Sequence, residues 1–289
     1  MLGKVIFSSF LILSLLATTP LKAGPIDLAL KHFDQGRYKQ ALSELELVAD
    51  KTNAEHTYYL GRSYFKDGQI SKARDLFLAN LERHPLHANS HFLLGSVTLI
   101  SIADVNVFKK FSLAKKALAY WQRAAELSKN NVEIIYGLAI YYLNAPSLVG
   151  GDPEKAKQAH NKLALLNPAY SDLVEATIAR KSDNKKKAEA LLISAIEKIP
   201  ERAFPTFLLA NFYLDEERYE EALSQLQEYR KRSKTWNDPG LAQASILAGR
   251  IYIGLGNTDK ARQELISVES TITTDSLKKY ARKELKKLN

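Results

Sequence analysis

Cysteine is missing altogether from the 289 residues of this chain. That absence rules out a disulfide, a thiolate metal site, a cysteine nucleophile and a lipidated cysteine. Histidine is scarce at six and tryptophan at two, against 14 tyrosines. The motifs that usually carry chemistry are also missing: there is no HExxH, Gly-x-Ser-x-Gly, Walker or dinucleotide-binding pattern. No cofactor is expected, and catalysis ranks last among the function classes. A long apolar run occurs once, from Val5 to Ala17, and is shorter than the about 20 residues a spanning helix needs. Lys4 precedes it and Leu21-Lys22-Ala23 leads into Gly24, so residues 1–23 read as a secretory signal peptide cut after Ala23. The competing reading is an uncleaved anchor. Either way the chain is expected to work outside the cytoplasm, in a bacterial periplasm or its equivalent.

The remaining composition is that of a soluble globular or repeat protein, with 46% apolar and 25% charged residues. Without Lys4 and Lys22 the chain keeps 39 basic against 32 acidic residues, a net charge of +7. Such a surface favours encounter with acidic partners or anionic membranes. Nucleic acid is not expected, because an exported protein rarely meets it.

The stretch from His56 to Pro85 organises the chain. Two helix-length segments meet at a turn, Asp67-Gly68, with small residues at Gly61 and Ala73 where helices must touch. Leu60, Tyr64 and Phe77 supply large apolar groups, and Pro85 ends the unit because its ring cannot continue a helix. This order of Leu-Gly, Tyr, Ala, Phe and Pro resembles the tetratricopeptide repeat signature, whose period is about 34 residues. Alanines in the same role recur at Ala41, Ala73, Ala117, Ala156, Ala188, Ala222 and Ala261, separated by 32, 44, 39, 32, 34 and 39 residues. Seven units in phase span 24–271. The first helix of the fifth unit is degenerate. The resemblance implies an all-α, right-handed solenoid with first helices lining its concave side. Residues 272–289 then form a basic amphipathic helix, with Leu277, Tyr280, Ala281, Leu285 and Leu288 on one stripe. Its first reading is a cap for the last repeat; its second is a contact with an anionic membrane through 275–289.

Three insertions interrupt the period. Residues 100–111 are apolar without Gly or Pro, so they should be ordered and either lengthen the helices of the third unit or fold over an edge. In the second, from Asn144 to Ala156, Gly150-Gly151 permit a tight turn, while Asp152 and Pro153 suit a helix start. The third, KTWNDPG before Leu241, reads as a turn-rich linker with Trp236 near the surface. His84, His87 and His91 have metal-like spacing, but Pro85 breaks the helix that would align them, so no metal site is expected.

The register that the resemblance assigns to the concave groove holds Tyr58, Arg62 and Phe65, then Phe92, Ser96 and Leu99, then Tyr136, Ile140 and Leu143. Later units add Phe207, Asn211 and Leu214, then Ile246, Arg250 and Ile253. Chaperone-binding members of the family grip a terminal carboxylate with Lys, Asn and Arg at such positions. This chain departs from that pattern and offers mostly apolar and aromatic groups. An apolar stripe of this size usually marks a binding site. The expected function is therefore a non-catalytic scaffold or assembly factor of the cell envelope, holding an apolar segment of another protein, with Arg62 and Arg250 orienting it. The alternative is a carrier of an acyl chain or lipid, which requires the third-unit insertion to close the groove.

Overall fold

The computed structural model describes residues 25–288, apart from 36, 49, 51, 233–237 and 272–273. The signal peptide and Trp236 thus lie outside the described residues. The described chain forms fifteen α-helices and three short 3-10 segments, and no strand occurs among the described residues. Seven antiparallel pairs follow one another: α1 (Pro25–Asp34) with α2 (Tyr38–Glu46), α3 (Ala54–Lys66) with α4 (Ile70–Arg83), and α5 (Ala88–Ile100) with α6 (Val107–Leu127). Next come α7 (Val132–Asn144) with α8 (Pro153–Leu166) and α9 (Pro168–Lys181) with α10 (Lys185–Lys198). The series closes with α11 (Phe204–Asp215) and α12 (Tyr219–Lys231), α13 (Leu241–Gly254) and α14 (Thr258–Ser270), and a last helix, α15 (Asp275–Leu285). The fold is the all-α solenoid expected.

Helix starts are written in the sequence as Asn and Asp caps. The Asn131 side chain accepts the backbone N–H groups of Glu133 and Ile134 at 3.1 Å, and Asn167 caps α9 just before Pro168. Each such cap stabilises its helix by about 1 kcal/mol. Within a pair, small residues let two backbones approach. All seven register alanines are 0% exposed. A Cβ added at Gly61 would stand 2.8 Å from the Phe77 ring, and one at Gly249 2.5 Å from Leu265. Phe77 is itself fully buried by this fit, which is worth about 1.5–3 kcal/mol of apolar burial.

Between pairs the packing is one-sided. Consecutive first helices touch at α1–α3, α3–α5, α7–α9 and α11–α13, whereas second helices of adjacent pairs make no comparable contact. That asymmetry curves the array and puts the first helices on its inner face.

The insertions take distinct forms. The first lengthens only the second helix of its pair: α6 has 21 residues, while α5 keeps 13, and a 3-10 turn at Ser101–Asp104 joins them. In the second, Gly150 adopts φ +97 at the end of a 3-10 turn, a left-handed conformation open to glycine. Asp152 then caps α8 through Glu154 and Lys155, with Pro153 in its first position. At the C-terminus, Leu277, Ala281, Leu285 and Leu288 of the last segment pack against Ala242, Ile246, Leu265 and Val268. Most of its apolar stripe thus faces the last pair, with Ala281 fully buried, while Tyr280 remains exposed. Among the described residues no helix is long and apolar enough to cross a membrane.

Candidate binding groove

The inner face divides into a filled half and an open half. The filled half lies at the N-terminal ends of α7, α9 and α11. Tyr136, Tyr170 and Phe204 form an aromatic triangle there, with ring centroids 5.4 to 5.9 Å apart. Beside it, Arg202 pairs with Glu133 at 3.1 Å. Beside this cluster lies Asp238, in the described residues 238–240 that lead into α13. Asp238 is only 3% exposed. Its carboxylate accepts the Phe204 backbone N–H at 3.0 Å, and its carbonyl accepts the Lys66 ammonium at 3.5 Å. The Tyr229 hydroxyl donates to the Pro239 carbonyl, and the Tyr229 ring packs on Phe207 at 5.1 Å. A segment late in the chain thus reaches α3 in the second pair, across the inside of the array.

Burial sets the electrostatics here. It pushes the Tyr58 and Tyr170 phenols to about 12, with Arg62 and Arg202 respectively opposing the shift. Tyr136 and Tyr229 are raised by the same cause, and the Asp238 charge adds to burial at Tyr229. Lys66 is lowered to about 8, by burial first and by Arg62 second, while Asp238 opposes. These phenols are neutral packing groups near pH 7, not acids poised for proton transfer.

The open half lies at the C-terminal ends of the same helices. A trough of about 450 Å³ runs over α9, floored by Tyr136, Ile140, Leu173, Ala176 and Leu208. The floor dips because α9 carries Ala176 and Thr177 between the larger Ile140 and Leu208 of its neighbours. Charges ring it: Arg180 pairs with Asp215 at 2.6 Å and Lys185 with Glu216 at 2.7 Å. Asp215 also faces Arg250 at 3.8 Å. Arg250 lines a second, smaller depression of about 350 Å³ with Leu214, Ile253 and Glu284.

The register residues are distributed over both halves. Tyr136 and Ile140 line the trough. Tyr58 and Arg62 are buried, with the Arg62 guanidinium 4.2 Å from the Phe33 ring centroid. Leu214 and Ile246 are 7% exposed each. Phe65, Phe92, Leu143, Phe207 and Asn211 are half-buried, the last donating to the Phe207 carbonyl at 2.9 Å within its own helix. Sequence reasoning did not place Tyr170, Leu173, Thr177, Arg180, Asp215 or Asp238. The histidines diverge: His84 meets the Thr52 carbonyl, His87 meets Glu55, and His91 meets the Pro85 carbonyl. No group of three metal-ligating side chains occurs among the described residues.

The tetratricopeptide repeat family model matches residues 26–81, 60–99 and 207–269. A tetratricopeptide repeat protein from Parabacteroides merdae, 16% identical, superposes with a TM-score of 0.57 over 91% of this chain and 97% of its own. A thermophilic one from Thermus thermophilus, 19% identical, does so at 0.55 over 69% and 97%. At these identities the likeness is one of fold. No curated protein sequence matches the chain.

Proposed function

This chain belongs to the tetratricopeptide repeat family, a family of interaction scaffolds, and we propose that it holds an apolar segment of another cell-envelope protein in the trough over α9. The observation that carries this reading is the trough itself: an apolar floor with a charged rim on the inner face of a rigid array. Such a surface fits a peptide whose apolar residues enter the floor while its polar flanks meet Arg180, Lys181 and Glu216. Arg250, beyond Asp215, extends the rim toward the last pair. Residues 1–23 support an extracytoplasmic setting, hence an envelope partner. The array acts as an assembly factor without chemistry of its own. The alternative, an acyl-chain carrier, needs a closed apolar chamber. No residue of the 100–111 insertion lines the trough, so that insertion does not supply the closure.

The test is recovery of envelope proteins by the native chain against an Ile140→Glu variant, both with full helical content by circular dichroism. The reading requires that at least one protein recovered by the native chain be lost by the variant. Equal recovery by both contradicts it.

A further inference from the structure

At its N-terminal end the longest helix carries exposed apolar and basic side chains without acidic neighbours on its own sequence. With 21 residues against 13 in α5, α6 has about 12 Å of length without a counterpart in its partner helix. At that end Phe108 is 84% exposed and Val107 54% exposed. Four exposed lysines follow, Lys109, Lys110, Lys115 and Lys116, and no acidic residue occurs from Val105 to Ala125. None of the four is in an ion pair among the described residues; Lys116 lies 5.8 Å from the ring of Tyr120 on its own helix. The comparison with α15 is instructive. That helix is also basic, but apart from Tyr280 its apolar stripe packs on the last pair, and Arg282 and Lys287 are paired with Glu269 and Glu284.

The geometry points to the free end of α6 as a peripheral docking surface for an anionic lipid bilayer. Phe108 enters the headgroup region, and the lysines face the lipid phosphates. Charge complementarity supports this occupant, since each lysine near an anionic membrane surface contributes about 1 kcal/mol of attraction. The size of the apolar tip argues the same way. A stable protein interface buries about 800 Å² per partner, more than two adjacent side chains offer, whereas reversible membrane binding can combine a small apolar element with a cluster of cations. This surface is separate from the trough and does not depend on the groove reading.

The absence of native cysteine makes the test site-specific. A polarity-sensitive fluorophore attached at Phe108→Cys is compared with one at Leu165→Cys, which is equally exposed at 88% on α8. Vesicles of phosphatidylcholine alone and of phosphatidylcholine with 30% phosphatidylglycerol, ~30% chosen to approximate an anionic leaflet, are then added. The expected result is a blue-shifted rise at position 108 with anionic vesicles only, suppressed by high salt, and little change at 165. Replacing the four lysines with glutamine should raise the lipid needed for half-maximal signal at least about tenfold. A probe at 108 that ignores anionic vesicles overturns the proposal. So does an equal response at both positions, as expected if another segment held the chain to lipid, and so does a response only to added protein partners.

Discussion

The N-terminal ends of α7, α9 and α11 pack on one another and meet Asp238 just ahead of α13, while their C-terminal ends stand open. The same three helices build both regions, so the contrast comes from side chains. Where the helices begin, Tyr136, Tyr170 and Phe204 are large enough to touch, and Asp238 seals them. Where they end, Ala176 and Thr177 are too small to meet their neighbours, and a trough remains. One half of the groove is therefore packed into the array, and the other is the half proposed to receive a partner. Size at a handful of inner-face positions decides between core and site.

Mutations can break that contrast, and the largest effect should come from the filled half. Tyr170→Ala should cost about 3–5 kcal/mol in urea denaturation by removing a buried ring, whereas Thr177→Ala, about two turns along the same face, should change stability by less than about 0.5 kcal/mol. Equal costs would erase the distinction. Asp238→Leu should follow at about 2–4 kcal/mol, because the Phe204 N–H loses its acceptor and the Lys66 ammonium loses a neighbouring negative charge.

Titration offers a second route. Lys66 is held at about 8 in the fold against 10.5 in the unfolded chain, so the unfolded chain binds more protons between those values. Its contribution therefore makes stability rise with pH across that window. The buried phenols have the opposite sign: Tyr58 and Tyr170 reach about 12 against 10.0 unfolded, so their contribution is lost above about 10. Thermal midpoints measured between pH 7.5 and 9.5, a range of ~2 pH units below the phenol transition, should climb less in Lys66→Met than in the native chain. Identical slopes would place Lys66 in solvent. The smallest effect belongs to the rim. Arg180→Ala should cost about 0–1 kcal/mol, as exposed ion pairs do, and a double-mutant cycle with Asp215→Ala measures the coupling.

Much of the architecture was legible because its cause is local and periodic. An alanine at the helix contact must recur wherever a pair must close, and all seven that do so are fully buried. The trough was harder to see because α9 carries Glu175-Ala176 where other units show Leu-Gly, Leu-Ala or Ala-Gly. Counting twelve residues back from Ala188, as from Ala73 to Gly61 or Ala261 to Gly249, lands on Ala176. The three groove positions that follow are Leu173, Thr177 and Arg180, and each lines the trough. That signal was present in the spacing though not in the motif. Asp238 left no comparable trace. An acid in an Asn-Asp-Pro-Gly turn looks the same in sequence whether it faces water or a buried N–H far along the chain. Arg62 was similarly ambiguous, since its spacing matched the register expected of the groove, while the Phe33 ring against which its guanidinium is buried comes from another pair.

The division of the groove is tested most directly by placing a photo-crosslinking amino acid at Thr177 or at Lys66 and irradiating cells that express the protein. The account predicts a partner adduct from position 177 and none from 66, with the 177 adduct lost when Ile140→Glu is added. An adduct from 66 but not from 177 would mean that the partner displaces Asp238 and occupies the half assigned here to the fold.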